Sequence, residues 1–254
     1  MGRRSSVPTG GIPFLHEKQI EREADLLLEE YGIKFAPVTA PPVPVDGIAE
    51  LHLELALEYL DMKSLFPGAD VHGAIWFQQS RIGIDQSLDP DANPSRRGRY
   101  HFTLAHEVGH WRLHRQHFIS NPAQRTLFGD GTPHPDVVCR SSEGSQPVEW
   151  QANAFASCLL MPRKLVHSAW TEFRGADDSP VAITELRKLY AETSAIEPWY
   201  RHGQLATDQE SQDLAMKEEF CRPLAETFQV SPEAMRIRLE HLGLLVAHKV
   251  KSLF

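Results

Sequence analysis

Apolar residues recur along this chain at helical and strand periods, with turn residues between them. Over residues 16–31 a polar run carries Ile20, Ala24, Leu27 and Leu28 at spacings of three and four, which predicts an amphipathic helix lying on a core and ended by Gly32. The proline-rich residues 40–45 predict a stiff connector, and Asp46 is expected to cap a second helical stretch reaching about Glu58. Residues 73–77 and 81–85 are short β-prone runs separated by Gln78, Gln79 and Ser80, the pattern of an antiparallel hairpin. After the turn at residues 89–94, a long helix is expected, with Phe102, His106, Gly109, His110, Leu113 and His117 at helical spacing and no proline from Tyr100 to Asn121. A further helix is expected between Pro147, suited to a first turn, and Pro162, suited to a stop, with Glu149, Ala152, Asn153, Ala156, Leu159 and Leu160 on one face. The connection between these two helices, residues 118–146, reads as loop.

The last third is less informative. Residues 181–190 form one amphipathic patch, while residues 174–180 and 207–212 are polar. Residues 214–228 and 231–242 then predict two helices joined only by Gln229 and Val230, the second capped by Ser231, started by Pro232 and closed by Gly243. This has the spacing of a helix-turn-helix with Arg236 and Arg238 facing outward. Two readings follow: a helical pair packed on a core, or a DNA-binding unit with two arginines as a phosphate grip.

Composition narrows the class. A chain of 254 residues, 41% hydrophobic, is long enough to bury one substantial core and a small second unit. A net charge of −8 argues against a protein built mainly to coat nucleic acid. Cys139, Cys158 and Cys221 are far apart and odd in number, which suits reduced thiols in a cytoplasm. The first residues are basic without a following apolar core, and no stretch approaches eighteen apolar residues, so neither secretion nor a membrane span is expected.

The chemistry concentrates at His106-Glu107-Val108-Gly109-His110. Two imidazoles four residues apart on a helix project from one face and can hold one metal ion. Glu107, beside the first of them, can take a proton from a water at that metal without joining it, which is the HExxH arrangement of zinc hydrolases. Gly109 costs about 1 kcal/mol relative to alanine in a helix, which suggests a close approach by another backbone or a bound peptide. A catalytic zinc usually takes three protein ligands. His114 cannot be the third, because eight residues of helix from His106 rise about 12 Å. A metzincin would need Gly at 113 and His at 116, where this chain has Leu113 and Gln116.

Glu149 is the best candidate for the missing ligand, and Asn153, one turn further on, could accept a hydrogen bond from a ligating imidazole and fix its tautomer. His134 and Arg140 are candidates to steady the oxyanion or hold substrate, although no spacing rule assigns them. Arg96, Arg97 and Arg99 read either as solvated charges or as a substrate grip, His114 and His117 either as surface or core polar residues or as contacts to the ligands or the substrate, and Trp111 and Trp150 as core anchors rather than substrate stackers.

Three segments, RYHFTLAHEVGHWRLH, EWQANAFASCLLMP and VSPEAMRIRLEHLGLL, in that order and with PPVPVDGIAE and residues 73–85 before them, resemble the ImmA/IrrE metallopeptidases over most of the chain. The resemblance implies an intracellular zinc endopeptidase that cuts a cognate helix-turn-helix repressor, with His106, His110 and Glu149 on the metal and Glu107 in catalysis. The fold expected is then α+β, a zincin-like, gluzincin-type minimal metalloprotease with a small antiparallel sheet. Its peptidase core would occupy residues 1–165, a variable insertion 166–212, and a helix-turn-helix-like region 213–254. Zinc is the expected metal, with manganese able to substitute, and an XRE-type repressor is the expected partner in the cytoplasm. The competing reading is a regulator that keeps the metal for structure and acts by binding DNA or the repressor. A protease of broad specificity is a third, disfavoured by the large loops expected beside the cleft.

Overall fold

The computed structural model describes residues 12–119, 135, 137–140, 147–192, 199–201 and 203–247. The chain divides into two compact units, Met1–Val38 with Pro44–Leu159, and Thr39–Val43 with Leu160–Phe254.

In the first unit, α1 (Glu17–Lys34) buries Ile20, Ala24 and Leu27, the stripe that the apolar spacing marks out. It does not stop at Gly32. The helix runs one further half-turn, and a Cβ at Gly32 would make a tight contact, 3.2 Å from Pro37 Cα. The second expected helix is also revised. It consists of α2 (Val45–Gly47) and a π-helical turn, Ile48–His52, after which Glu54 takes a positive φ of 57° and the chain enters β1 (Ala56–Leu60). Asp46 lies inside that helical start and accepts a hydrogen bond from the Tyr100 hydroxyl, so it joins two helices and caps neither.

A short α3 (Met62–Leu65) leads into β2 (Val71–Trp76) and β3 (Arg81–Asp85), which pair antiparallel as the hairpin pattern indicates. The sheet runs β1-β3-β2-β4, where β4 is Val137–Arg140. It is mixed, because β1 pairs parallel with β3 while β2 pairs antiparallel with both of its neighbours.

Across one face of this sheet lies α4 (Arg97–Ile119), 23 residues long. Tyr100, Leu104, Ala105, Val108, Trp111 and Phe118 fix it in the core, with Phe77 packed on Trp111 and Phe118 at centroid distances of 6.2 and 5.1 Å. Arg112 holds α1 to α4 through Glu23 at 2.9 Å and a paired contact with Glu30 at 2.8 and 2.9 Å. The unit closes with α5 (Pro147–Leu160), which buries Val148, Ala152, Phe155, Ala156 and Leu159.

The second unit contains α6 (Arg163–Phe173), β5 (Val181–Ala182), α7 (Ile183–Glu192), β6 (Tyr200–Arg201), β7 (Gln204–Leu205), α8 (Gln209–Phe228), α9 (Pro232–His241) and β8 (Leu245–Val246). Its core includes Trp170, Leu224, Phe228, Met235 and Leu239. The helix expected from residue 214 starts earlier, because the polar residues after Thr207 open α8: Asp208 caps it by accepting the Ser211 N–H at 2.8 Å. Between α8 and α9, Gln229 adopts a left-handed conformation and Ser231 accepts the Ala234 N–H, giving the tight joint expected from the sequence. Arg236 and Arg238, however, do not face outward. Arg238 is 2% exposed and donates to the Met161 carbonyl at 3.0 Å, and Arg236 is held by Glu218 at 3.3 Å and Glu240 at 2.7 Å. Their long aliphatic stems lie in the core and nearby acceptors satisfy their heads, an arrangement that helical spacing alone does not separate from an outward one.

Among the described residues, no helix is long and apolar enough to cross a membrane.

Candidate metal centre

The site is built where α4 and α5 meet. Gly109 makes that meeting close: a Cβ on it would lie 3.2 Å from both Cα and the carbonyl oxygen of Ala152 in α5. The close backbone approach suggested by a glycine inside this helix is therefore α5 itself. One turn of α4 separates His106 from His110, and their Nε2 atoms lie 2.9 Å apart. From α5, Glu149 brings Oε2 to 3.1 Å from His106 Nε2 and Oε1 to 3.5 Å from His110 Nε2. All three side chains are buried, and one donor atom from each lies within 4.8 Å of the others.

These residues fit a divalent ion. Tetrahedral zinc with bonds of about 2.0–2.2 Å sets neighbouring donor atoms roughly 3.3 Å apart, and the separations of 2.9, 3.1 and 3.5 Å bracket that value. The donor set, two imidazoles and one carboxylate, is one that catalytic zinc uses. Glu107 adds a second indication, since it is fully buried and neither of its carboxylate oxygens has a hydrogen-bond partner among the described residues. Such a group is costly unless something polar joins it.

The electrostatics follow from burial and from the neighbours. Burial and the charge of Glu149 push the Glu107 carboxyl well above the usual carboxylate range. Burial also pushes Glu149 up, but the adjacent imidazoles of His106 and His110 outweigh it and hold the carboxyl below its usual range. His110 is pushed down, mainly by burial, and His114 is lowered to about 3 by burial and the adjacent His110. Both imidazoles are thus kept neutral, the form that ligates or accepts a hydrogen bond.

Beyond the three donors, Asn153 Oδ1 lies 2.9 Å from His106 Nδ1. Arg140 falls in β4, where its backbone pairs with Val71, and His134 lies outside the described residues, as does most of the expected loop around it. Arg96, Arg97 and Arg99 are exposed, and Arg96 donates to the Ser87 hydroxyl. Trp111 is the buried anchor expected of it, but Trp150 is 37% exposed and stacks on Phe14, 5.6 Å away with ring planes 12° apart. It lies next to Glu149 in α5 and points elsewhere because adjacent helical residues face about 100° apart.

The structure gives a definite place to two residues, one whose role the sequence leaves open and one that it does not mark. His114 is fully buried, with Nδ1 3.0 Å from His110 Nδ1. The signal was present: the spacing of four that pairs His106 with His110 recurs from His110 to His114. Gly73 in β2 is the other, since a Cβ there would lie 2.5 Å from Glu107 Oε1. No local pattern marks it.

A mixed sheet carrying one long helix, with two histidines of that helix and a glutamate of the next brought within reach of one ion, defines the class as a zincin-like metallopeptidase. Residues 91–194 match the model of the peptidase M78 family, described as the IrrE N-terminal-like domain, and this part of the chain is a metallopeptidase domain of the ImmA/IrrE type. The match spans α4, β4 and α5, and hence every donor of the site. No curated protein matches the chain.

Proposed function

We propose that this chain is a cytoplasmic zinc-dependent endopeptidase that cuts one cognate protein, a helix-turn-helix repressor of the XRE type, and so relieves repression. The observation that carries the reading is the convergence of His106, His110 and Glu149 beside Glu107, a buried carboxylate without a partner among the described residues. Zinc, or manganese in its place, would be held by those three side chains; when bound it supplies a Lewis acid for the scissile carbonyl and lowers the pKa of the attacking water.

The remaining work falls to the chain's own residues. Glu107 takes the proton of the attacking water and delivers it to the leaving amine, and its carboxyl lies one residue from His106 and faces the same buried site. Asn153 accepts a hydrogen bond from His106 Nδ1–H, which leaves the Nε2 lone pair free for the metal. An extended substrate would add to the outer side of β4, the last strand of the sheet among the described residues, by backbone pairing. Arg140 and His134 are the candidates to steady the oxyanion.

The substrate class rests on the resemblance to proteases that act on repressors. Cys158 and Cys221 are buried and not joined in a disulfide, which suits a reducing compartment. The competing DNA-binding regulator relied on Arg236 and Arg238, and both are buried and already bonded within the protein.

The test is incubation of the purified protein with zinc and the repressor encoded beside its gene, followed by gel and mass spectrometry. Wild type should yield two fragments and lose that activity to a chelator, while Glu107→Gln should keep its metal and leave the repressor intact. Equal cleavage by the variant would refute the assignment.

A further inference from the structure

His110 has a second nitrogen, and a line of hydrogen-bonding groups runs outward from it within the first unit. His110 Nδ1 lies 3.0 Å from His114 Nδ1, His114 Nε2 lies 3.4 Å from Gln151 Oε1, and Gln151 Nε2 donates to the Pro13 carbonyl at 3.3 Å. His110 and His114 are fully buried and Gln151 is 1% exposed, so each polar group depends on the next.

The protons can be assigned from the outer end inward. A proline carbonyl can only accept, so the Gln151 amide must turn its nitrogen toward Pro13 and its oxygen toward His114. An oxygen facing His114 Nε2 requires that nitrogen to carry the proton. A neutral imidazole has only one, so His114 Nδ1 is bare and accepts. His110 must then donate from Nδ1, and its Nε2 is left as an open lone pair aimed at His106 and Glu149. The reverse order fails at its last link, where two carbonyl oxygens would face each other.

We propose that His114 and Gln151 are positioning residues for the metal: anchored on the Pro13 carbonyl, they select the His110 tautomer whose Nε2 lone pair faces Glu149, and they hold the ring in that orientation. Through α5 the two histidines of the site are then served in parallel, His106 by Asn153 directly and His110 by Gln151 through His114. The inference rests on the reading of His106, His110 and Glu149 as the metal ligands. It adds a reason why a third histidine, too far along the helix to ligate, is buried beside them.

Two measurements test it without reference to turnover. Zinc affinity, measured by competition with a chromophoric chelator, should fall about 10–100-fold in His114→Leu and in Gln151→Met, the usual cost of losing an outer partner of a ligating histidine. His114→Gln, which restores an acceptor, should recover most of the loss. Nitrogen-resolved NMR of metal-free wild type should find the His110 proton on Nδ1, and Gln151→Met should give a mixture of tautomers. If His114→Leu does not fold, Gln151→Met and the tautomer signal decide. Wild-type affinity in the folded variants, or a proton on Nε2 of His110 in metal-free wild type, would overturn the proposal. A wild-type protein that takes up no zinc would instead overturn the metal reading beneath it.

Discussion

Gly73 shows how a single missing side chain can make room for Glu107, the carboxylate proposed to move protons. A Cβ at this position would lie 2.5 Å from Glu107 Oε1 and 2.8 Å from Thr103 Cγ2, and both neighbours are buried. Gly73→Ala therefore has nowhere to put a methyl group without moving the carboxylate. It should lower turnover at least tenfold while zinc stays bound, and it should cost about 1–3 kcal/mol of stability as an overpacked core does. Paired activity and zinc-binding assays check this; unchanged turnover would mean that the Glu107 carboxylate is not held where proton transfer needs it. Residues of this kind are hard to read from a sequence. His106, Glu107 and His110 declare themselves through spacing on one helix, whereas Gly73 and His114 acquire meaning only from what the fold brings against them.

At the scale of elements, the pairing of α4 with α5 carries the site. Both helices were legible, because each shows a helical period over more than three turns and the prolines at 147 and 162 bracket the second. Glu149 and Asn153 ride on α5, so the distance between the helices controls the geometry of the donors. Gly109→Ala would gain roughly 1 kcal/mol in helix propensity but set a methyl 3.2 Å from the Ala152 backbone, which must give way. The expected result is a zinc affinity at least several-fold weaker with little change in helical content, measured by chelator competition and circular dichroism. Affinity equal to wild type would show that the helices can separate without disturbing Glu149. Less legible was the segment after Pro44, read as one helix and found as a helical start, a π-helical turn and β1. Leu55, Ala56 and Leu57 suit either period, and pairing of β1 with β3 decided between them.

For the whole molecule, charge and burial separate the two functional classes. A net charge of −8, with Arg236 and Arg238 committed to internal partners, weighs against duplex binding through the α8–α9 pair. Fluorescence anisotropy with duplex DNA across a salt series should show no steeply salt-dependent binding, and Arg238→Met should lower the unfolding midpoint without altering that result. Tight binding that weakened steeply with salt would restore the regulator reading. The central claim is narrower: three side chains from two helices hold one ion, and a fourth carboxylate stays off it. Zinc titration of metal-free wild type, Glu149→Ala and Glu107→Gln tests this most directly. One equivalent should bind to wild type and to Glu107→Gln with similar affinity, and tight binding should vanish in Glu149→Ala. Full affinity in Glu149→Ala, or its loss in Glu107→Gln, would contradict the account.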